Sequence, residues 1–330
     1  MRFTWMAGWA NMARDNPRAD AKSVTMVLDS IDSLQQGLDR QGYVSDRALA
    51  TVVYLAHALQ KPLLLEGEPG VGKTELAVVL ARLLDTELIR LQCYEGLDAP
   101  AALYEWNYPK QLLTIRMMES TARGAAEPAP EIFSREFLIE RPLLAAIGGA
   151  GSKPPVLLID ELDRADEEFE AFLLEFLGDF QISIPEVGTI KAVQPPLVVL
   201  TSNRTRDVHD ALKRRCLYHW IDLPEFDKEL AIVRARVPEA GESLARQVTA
   251  FMGRIRDGDL LKRPGVSETL DWARALLVMG ATGLDPETVD STLGCIFKYQ
   301  EDLQRFKEQE FNSAEAKAAF IAACAGVELD

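Results

Sequence analysis

The sequence predicts an α/β fold, in which helices cover both faces of a mainly parallel sheet, followed by a smaller all-α domain. Up to about residue 224, short apolar runs alternate with longer amphipathic stretches, as strands and helices do in such folds. Beyond that residue the strand signals end and helical periodicity continues. The chain has 330 residues, which is enough for two packed units.

Three segments are predicted along the chain. Residues 1–24 form a loose N-terminal extension, because residues 16–20 are polar and interrupt any periodicity. Residues 25–224 form the α/β domain. Residues 225–330 form the helical domain, with helices predicted at 228–237, 243–255, 267–279 and 286–307.

Three apolar runs predict buried strands at residues 61–67, 154–160 and 196–203, and a helix over residues 73–84 follows the first of them. Each run ends in glycine or in polar residues. In open α/β sheets, ligands bind outside the carboxyl ends of the strands. We therefore expect these three ends to share one site.

Composition narrows the function classes. The formal charge is −15, from 36 basic and 51 acidic side chains, and such a field repels nucleic acid over the surface as a whole. The four cysteines are far apart and form no CxxC or Cys/His cluster, so we expect reduced thiols and no zinc site. No apolar run approaches the ~18 residues of a membrane span, and we expect a cytoplasmic protein.

Residues 67–74 fit the phosphate-loop pattern GxxxxGK[ST], with a predicted strand before it and a predicted helix after it. Glycines let such a loop fold back, so that backbone N–H groups and the helix N-terminus face a phosphate. Lys73 is expected to reach the β- and γ-phosphates of ATP, and Thr74 to bind Mg²⁺. The alternative, a glycine-rich turn that fits by chance, does not account for this context. The predicted nucleotide-binding residues here are Gly67, Glu68, Pro69, Gly70, Val71, Gly72, Lys73, Thr74 and Glu75.

An acidic pair, Asp160 and Glu161, closes the second predicted strand. Phosphoryl transfer depends on positioning and on neutralised charge, so Asp160 is expected to hold Mg²⁺ and Glu161 to orient the attacking water. A solvated acidic strand end is the alternative. The phosphate loop elsewhere in the same sheet favours the catalytic interpretation.

Together, these motifs resemble the MoxR family of AAA+ ATPases over about residues 24–310. Residues 91–98 and 104–110 resemble the flanks of the helix-2 insertion of this group, and residues 180–191 alternate like the hairpin inserted before sensor 1. The strings at residues 94–98, 104–113 and 263–272 look most like CoxD-type proteins, which are linked to maturation of the molybdenum-copper site of carbon monoxide dehydrogenase. The fold implied is a P-loop AAA+ αβα sandwich with an α-helical lid.

The resemblance implies roles for further residues. Asn203 takes the sensor 1 position and would bind the γ-phosphate or the attacking water, although asparagine also caps loops. Arg215 is the first choice for an arginine finger that reaches a neighbouring subunit's ATP, and Arg214 is the second. A basic helix end favoured by the helix dipole is the alternative for both. The string around them lacks the Asp-Arg-Phe form common among MoxR proteins.

Two further regions are expected near the nucleotide. Arg263 lies close to where a sensor 2 arginine would contact ATP, with a surface charge before a helix as the alternative. Tyr43 and Val44 are expected to line an adenine pocket or, alternatively, to pack in the core. Trp106 and Tyr108 are expected either to grip a client or to pack internally.

The resemblance also implies partners: a hexameric ring of identical subunits, a protein with a von Willebrand factor A domain, and a metalloenzyme client. The function expected is ATP-driven remodelling of another protein. One rival is an AAA+ nucleic-acid motor or restriction-type NTPase, which the net charge disfavours. Another is a small-molecule kinase, which would need neither a finger from a second subunit nor a helical lid.

Overall fold

The computed structural model describes residues 28–121, 132–149 and 153–326. The predicted N-terminal extension, residues 1–24, lies outside these described residues. The strands, in chain order, are β1 (Leu63–Gly67), β2 (Leu88–Gln92), β3 (Tyr104–Trp106), β4 (Leu138–Glu140), β5 (Val156–Asp160), β6 (Gln181–Ile184), β7 (Gly188–Lys191), β8 (Leu197–Ser202) and β9 (Leu217–Ile221).

The helices occupy the segments between and after these strands. They are α1 (Ile31–Arg40), α2 (Arg47–Ala58), α3 (Lys73–Leu84), α4 (Ala99–Leu103), α5 (Tyr108–Thr121), α6 (Pro142–Gly148), α7 (Glu167–Asp179), α8 (Asp210–Arg215), α9 (Phe226–Arg236), α10 (Gly241–Arg256), α11 (Val266–Val278), α12 (Pro286–Thr292), α13 (Gln300–Gln309) and α14 (Ala314–Ala325).

The main sheet has five parallel strands in the order β2-β5-β8-β1-β9. Every residue of β1, β5 and β8 is buried, because apolar side chains on both faces are covered by helices. One face packs with α1, α2 and α3, and the opposite face packs with α6 and α7. The predicted strands near residues 61–67, 154–160 and 196–203 and the predicted helix over residues 73–84 are thus confirmed.

The two edge strands, β2 and β9, are absent from the strands that the sequence predicts. Each mixes apolar residues with polar or aromatic ones and is only partly buried. Edge strands have a neighbour on one side only, so their sequences need not be continuously apolar. They extend the sheet beyond both ends of the predicted three-strand centre.

Two antiparallel strand pairs branch from the α/β core. β3 pairs with β4 in the segment that follows β2, and β6 pairs with β7 before β8, where the sequence predicts a hairpin. Trp106 is partly buried, with its ring edge-on to Phe133 at a centroid distance of 5.3 Å. Tyr108, at the start of α5, is 60% exposed. Trp106 therefore packs internally, whereas Tyr108 faces outward.

Helices α9 to α14 form the lid around a second apolar core centred on Phe251 and Trp272. The single helix predicted over residues 286–307 is wrong: α12 ends at Thr292, a 3-10 turn follows, and α13 begins at Gln300. Leu293, Ile296 and Phe297, in and just after the 3-10 turn, are buried in the lid core.

The structure confirms the predicted fold class, a mainly parallel sheet between helical layers followed by an all-α region. All four cysteines are free, and two of them, Cys93 and Cys324, are buried. Within residues 28–121, 132–149 and 153–326, no helix is both long and apolar enough to cross a membrane.

We expect Trp272→Ala to lower the free energy of unfolding by about 3–5 kcal/mol, the usual cost of deleting a large core aromatic. Trp272 is fully buried, and its Nε1 donates a hydrogen bond of 2.9 Å to Thr292. Urea unfolding measured by circular dichroism checks this. The matched control is Val278→Ala on the same helix, because Val278 is 89% exposed and should change stability by no more than about 0.5 kcal/mol. Equal effects of the two changes would contradict the assignment of Trp272 to the lid core.

Candidate nucleotide-binding site

A cavity of about 910 Å³ opens at the carboxyl ends of β1, β5 and β8, between the sheet and the lid. The phosphate loop lies on one wall, and helices α9 and α11 of the lid lie on another. The lining includes most of the residues predicted to bind nucleotide or metal: Tyr43, Val44, Pro69, Gly70, Val71, Gly72, Lys73, Thr74, Glu75, Asp160, Glu161 and Asn203. The expectation that three strand ends share a site is therefore met.

The backbone of the phosphate loop requires its glycines. Gly70 and Gly72 have φ values of 80° and 98°, which side chains rarely tolerate. At Gly67, a Cβ would lie 2.2 Å from the carbonyl oxygen of Ile221. The loop can thus fold tightly over the start of α3, whose first-turn N–H groups have no partner within the helix and suit a phosphate.

Lys73 closes the phosphate loop from inside. Its Nζ donates to the carbonyl oxygens of Gly67 and Glu68 at 2.7 and 2.8 Å, and the side chain is buried. Burial lowers the pKa of the Lys73 ammonium to about 8, although the carboxylates of Asp163 and Glu68 act in the opposite direction. The group is therefore close to its titration range before it meets any phosphate.

Asp160 lies at the centre of the polar contacts. Its Oδ1 accepts hydrogen bonds from the hydroxyls of Thr74 at 2.9 Å and Thr201 at 2.6 Å, and its Oδ2 accepts one from Arg90 at 2.5 Å. Thr74 and Asp160, predicted as metal ligands from motifs 86 residues apart, are thus in direct contact. Thr201 and Arg90 are absent from the sequence prediction.

Glu161 adopts a left-handed backbone conformation with φ of 55°, uncommon for a non-glycine residue. Its N–H donates to the Thr201 hydroxyl at 2.9 Å, which holds this conformation. The carboxylate is about one-third exposed and lies 3.3 Å from the guanidinium of Arg164. Backbone strain of this kind occurs where a side chain must be aimed at a site, and here the residue lines the cavity.

Asn203 follows β8 directly and lines the same cavity. Its backbone N–H donates to the carboxylate of Asp163, which also accepts from the N–H and hydroxyl of Thr205. These hydrogen bonds lower the pKa of the buried Asp163, against the effect of burial. Asp163 therefore links the turn after β5 to the loop after β8 and fixes the backbone position of Asn203.

The lid contacts the phosphate loop directly. Ser267, in the first turn of α11, donates its N–H to the carbonyl of Gly70 at 3.2 Å, and a Cβ on Gly265 would lie 2.6 Å from the carbonyl of Pro69. Arg263 is exposed and does not line the main cavity; it borders a small pocket beside Pro69. The lid arginine that does line the main cavity is Arg236, on α9.

Arg236 pairs with Glu75, in the first turn of α3, at 2.8 Å. Tyr43 lies near this pair, and its hydroxyl is 3.4 Å from the carbonyl of Gly72. Burial raises the pKa of Tyr43, with the carboxylates of Asp46 and Glu75 adding to the effect, so the phenol stays neutral. Tyr43 is both a core residue and a wall of the cavity, and its role beside an adenine stays a prediction.

The two finger candidates lie at the end of α8, outside the cavity, and both are exposed. Arg215 donates from Nη1 to the carbonyl of Leu174 on α7 at 2.6 Å and lies against Gly178. Arg214 forms no hydrogen bond or ion pair with the described part of the chain. Neither arginine lines the cavity of its own chain.

The oxygen atoms of Thr74 and Asp160 suit a hard cation that takes few of its ligands from the protein. Mg²⁺ takes oxygen ligands, retains several waters and is usually held by one or two protein groups together with phosphates. Thr74 and Asp160 provide such a pair beside the phosphate loop. In the described ranges, no three or more His, Cys, Asp or Glu residues are grouped so that they could hold a metal ion.

Residues 62–216 match a family model described as an AAA domain of the dynein-related subfamily. The matched span runs from β1 to the residue before β9 and contains the phosphate loop, the acidic pair, Asn203 and both finger candidates. This part of the chain is therefore similar to an AAA domain, and the parallel sheet, phosphate loop and helical C-terminal region have the P-loop AAA+ fold.

Among curated proteins, the chain is 27% identical over 226 residues to an uncharacterized protein of Staphylococcus aureus strain USA300, covering 66% of this chain and 76% of that one. It is 24% identical to the Lon protease of Mycolicibacterium smegmatis over 80% of this chain but only 34% of the protease. Among solved structures it is similar to a variant of RuvB from Thermotoga maritima, with 18% identity, a TM-score of 0.44, and coverage of 91% of this chain and 85% of that one.

We expect nucleotide affinity to fall as the pH rises through about 8, because the Lys73 ammonium must be protonated to pair with phosphate. The lowered pKa means that protonated Lys73 dominates below pH 8 and neutral Lys73 above it. Titration with a fluorescent ADP analogue between pH 7 and 9.5, in EDTA, checks this. The control is Lys73→Met, which should bind weakly with little pH dependence over this range. A flat profile for the unmodified protein would contradict the pKa assignment.

Proposed function

We propose that this chain, which is similar to an AAA domain over residues 62–216, is an ATP-hydrolysing remodeller of other proteins. The observation that carries the proposal is the convergence on one cavity of Lys73, Asp160 with Glu161, and Asn203, from the ends of three different strands. Each residue type suits one part of phosphoryl transfer, and the lid closes the opposite wall.

In the mechanism we propose, Lys73 exchanges its two carbonyl contacts for phosphate oxygens, while N–H groups of the loop and α3 hold the remaining phosphate charge. Thr74 and Asp160 would hold Mg²⁺, which when bound neutralises the phosphate charge. Glu161 orients the attacking water through its carboxylate, and the Thr201 hydroxyl keeps the Glu161 backbone in place. Asn203 binds the γ-phosphate or the same water through its amide.

We propose that a neighbouring subunit completes the site, as the resemblance to AAA+ rings implies. Arg215 remains the preferred finger. A guanidinium has five N–H donors, so the hydrogen bond from Arg215 to Leu174 leaves four free and orients the group at the surface. Arg214 is the alternative because its guanidinium has no partner in the described part of its own chain.

The proposed client is a protein rather than a nucleic acid. The net charge is −15, and the segment inserted after β2 presents apolar side chains: Tyr108, Leu112 and Leu113 are each 60% exposed on α5. Apolar exposed surface of this kind suits contact with polypeptide. The similarity to a Lon protease, an enzyme that by its name acts on proteins, favours the same choice.

The finer assignment rests on the sequence strings alone. We propose a MoxR-type, CoxD-like protein that works as a hexameric ring with a von Willebrand factor A partner, and whose client is a metalloenzyme such as carbon monoxide dehydrogenase. Co-purification of the tagged full chain with neighbouring gene products tests this. Recovery of a molybdenum hydroxylase subunit supports it, and recovery of only nucleic-acid enzymes contradicts it.

Lys73→Ala and Glu161→Gln should fail in different ways. Loss of the Lys73 charge should weaken ATP binding, whereas Glu161→Gln should retain ATP and reduce turnover by about 10²–10³, because only the water-orienting carboxylate is lost. Equilibrium binding and steady-state phosphate release separate the two effects. Arg164→Ala is the control, since it removes the group that contacts Glu161 and leaves the carboxylate. Wild-type turnover in Glu161→Gln would remove Glu161 from catalysis.

Arg215→Ala should keep nucleotide affinity and lose turnover by roughly 10³–10⁵, the effect of a finger supplied in trans. Mixing Arg215→Ala with Glu161→Gln subunits should restore part of the ATPase rate, because an interface with an intact Glu161 facing an intact Arg215 forms again. Phosphate release across mixing ratios is the measurement, with co-assembly checked by light scattering. A defect in Arg214→Ala but not in Arg215→Ala would move the finger to Arg214. Full activity in both variants would exclude a trans finger.

A further inference from the structure

Arg90 binds the metal-ligating carboxylate although it belongs to no motif that the sequence analysis identifies. It lies on the edge strand β2, and its Nη2 is 2.5 Å from Asp160 Oδ2. The Asp160 side chain is 3% exposed, whereas that of Arg90 is 52% exposed. A buried carboxylate is thus neutralised by a cation that reaches in from the surface.

The two oxygens of Asp160 have different partners. Oδ1 accepts hydrogen bonds from the neutral hydroxyls of Thr74 and Thr201. Among the described residues, Oδ2 accepts a hydrogen bond from the charged guanidinium of Arg90 alone. A buried carboxylate without a cation is costly. Arg90 therefore supplies the positive charge that the proposed Mg²⁺ would otherwise supply to the same group.

The two cations cannot share Asp160 without a penalty, because like charges a few ångströms apart repel strongly near a low-dielectric interior. Arg90 has an alternative acceptor: the same Nη2 is 2.5 Å from Oε1 of Gln92, which lies opposite Asp160 in the β2–β5 register. Because half of the Arg90 side chain is already in water, its withdrawal from Asp160 costs less than the withdrawal of a buried cation would.

We propose that Arg90 is a competing cation that holds Asp160 until Mg²⁺ displaces it, and so sets the Mg²⁺ affinity of the site. This inference rests on the proposed nucleotide-binding function. One consequence is that Mg²⁺ without nucleotide gains too little binding free energy at Asp160 to displace Arg90. An ion that also binds nucleotide phosphates gains enough to replace Arg90, so metal binding becomes conditional on nucleotide.

The test is titration of MgCl₂ into the full chain saturated with ADP, followed by calorimetry. Arg90→Ala should lower the Mg²⁺ dissociation constant by about tenfold, equivalent to about 1.4 kcal/mol of lost competition. Arg90→Lys, which keeps a cation, should stay near the wild-type value. ADP affinity in EDTA should be unchanged, because Arg90 does not line the cavity.

A second readout uses stability instead of metal affinity. Without Arg90, Asp160 has no cation in EDTA, so the thermal midpoint of Arg90→Ala should be lower than that of the wild type in EDTA. The rise in the thermal midpoint of Arg90→Ala when Mg²⁺ and ADP are added should be larger than the rise for the wild type. Arg90→Gln, which keeps a hydrogen-bond donor without the charge, should show the same larger gain if Arg90→Ala folds poorly.

Arg82→Ala is the control for removal of a positive charge, because Arg82 is exposed on α3 and makes no contact with Asp160. An Mg²⁺ affinity that is unchanged or weaker in Arg90→Ala overturns the inference, and so does an equal increase in Arg82→Ala. Failure of the wild type to bind ADP with or without Mg²⁺ would instead reject the proposed function, so the two failures are distinguishable.

Discussion

The buried carboxylate of Asp160 is the constraint on which the site depends. It ends strand β5 and receives hydrogen bonds from α3, β8 and β2, so four elements of the chain meet at one side chain. A buried charge must be satisfied by partners with good geometry, and this fixes the relative positions of the elements that supply them. The phosphate loop and the end of β5 are thereby held in a fixed relative position.

The lid is positioned by a second buried charge. Arg256 and Glu229, both almost fully buried, form an ion pair within the lid, and Arg256 also donates to the carbonyls of Pro264 and Gly265. That short segment lies directly against the phosphate loop. The buried ion pair therefore positions the segment of the lid that contacts the phosphate loop. The apolar core of the lid, which includes Trp272, supports that segment.

The sequence shows the local motifs of this site but not the contacts between residues that are far apart in the chain. A glycine pattern between a strand and a helix, or an Asp-Glu pair after an apolar run, is visible within a few residues, and these predictions placed Lys73, Asp160 and Asn203 at one cavity. Arg90 contacts Asp160 across 70 residues, and Arg236 contacts Glu75 across 161. Such pairings are set by strand order and by lid docking. Edge strands and the break after α12 escaped prediction for the same reason, since both follow from tertiary packing.

The cations of the site are paired with acceptor groups of the protein, which the motifs alone do not indicate. Burial lowers the pKa of the Lys73 ammonium to about 8, against the effect of the nearby carboxylates, and Asp160 is paired with an arginine whose side chain remains half in water. In the proposed function, phosphate oxygens would replace the carbonyl groups that Lys73 contacts, and Mg²⁺ would replace Arg90 at Asp160. A site arranged in this way avoids unpaired buried charge in the absence of ligand, and it forgoes some binding energy in return. Nucleotide and ion binding together would recover that energy, because a phosphate would give Lys73 new acceptors and Mg²⁺ would give Asp160 a new cation.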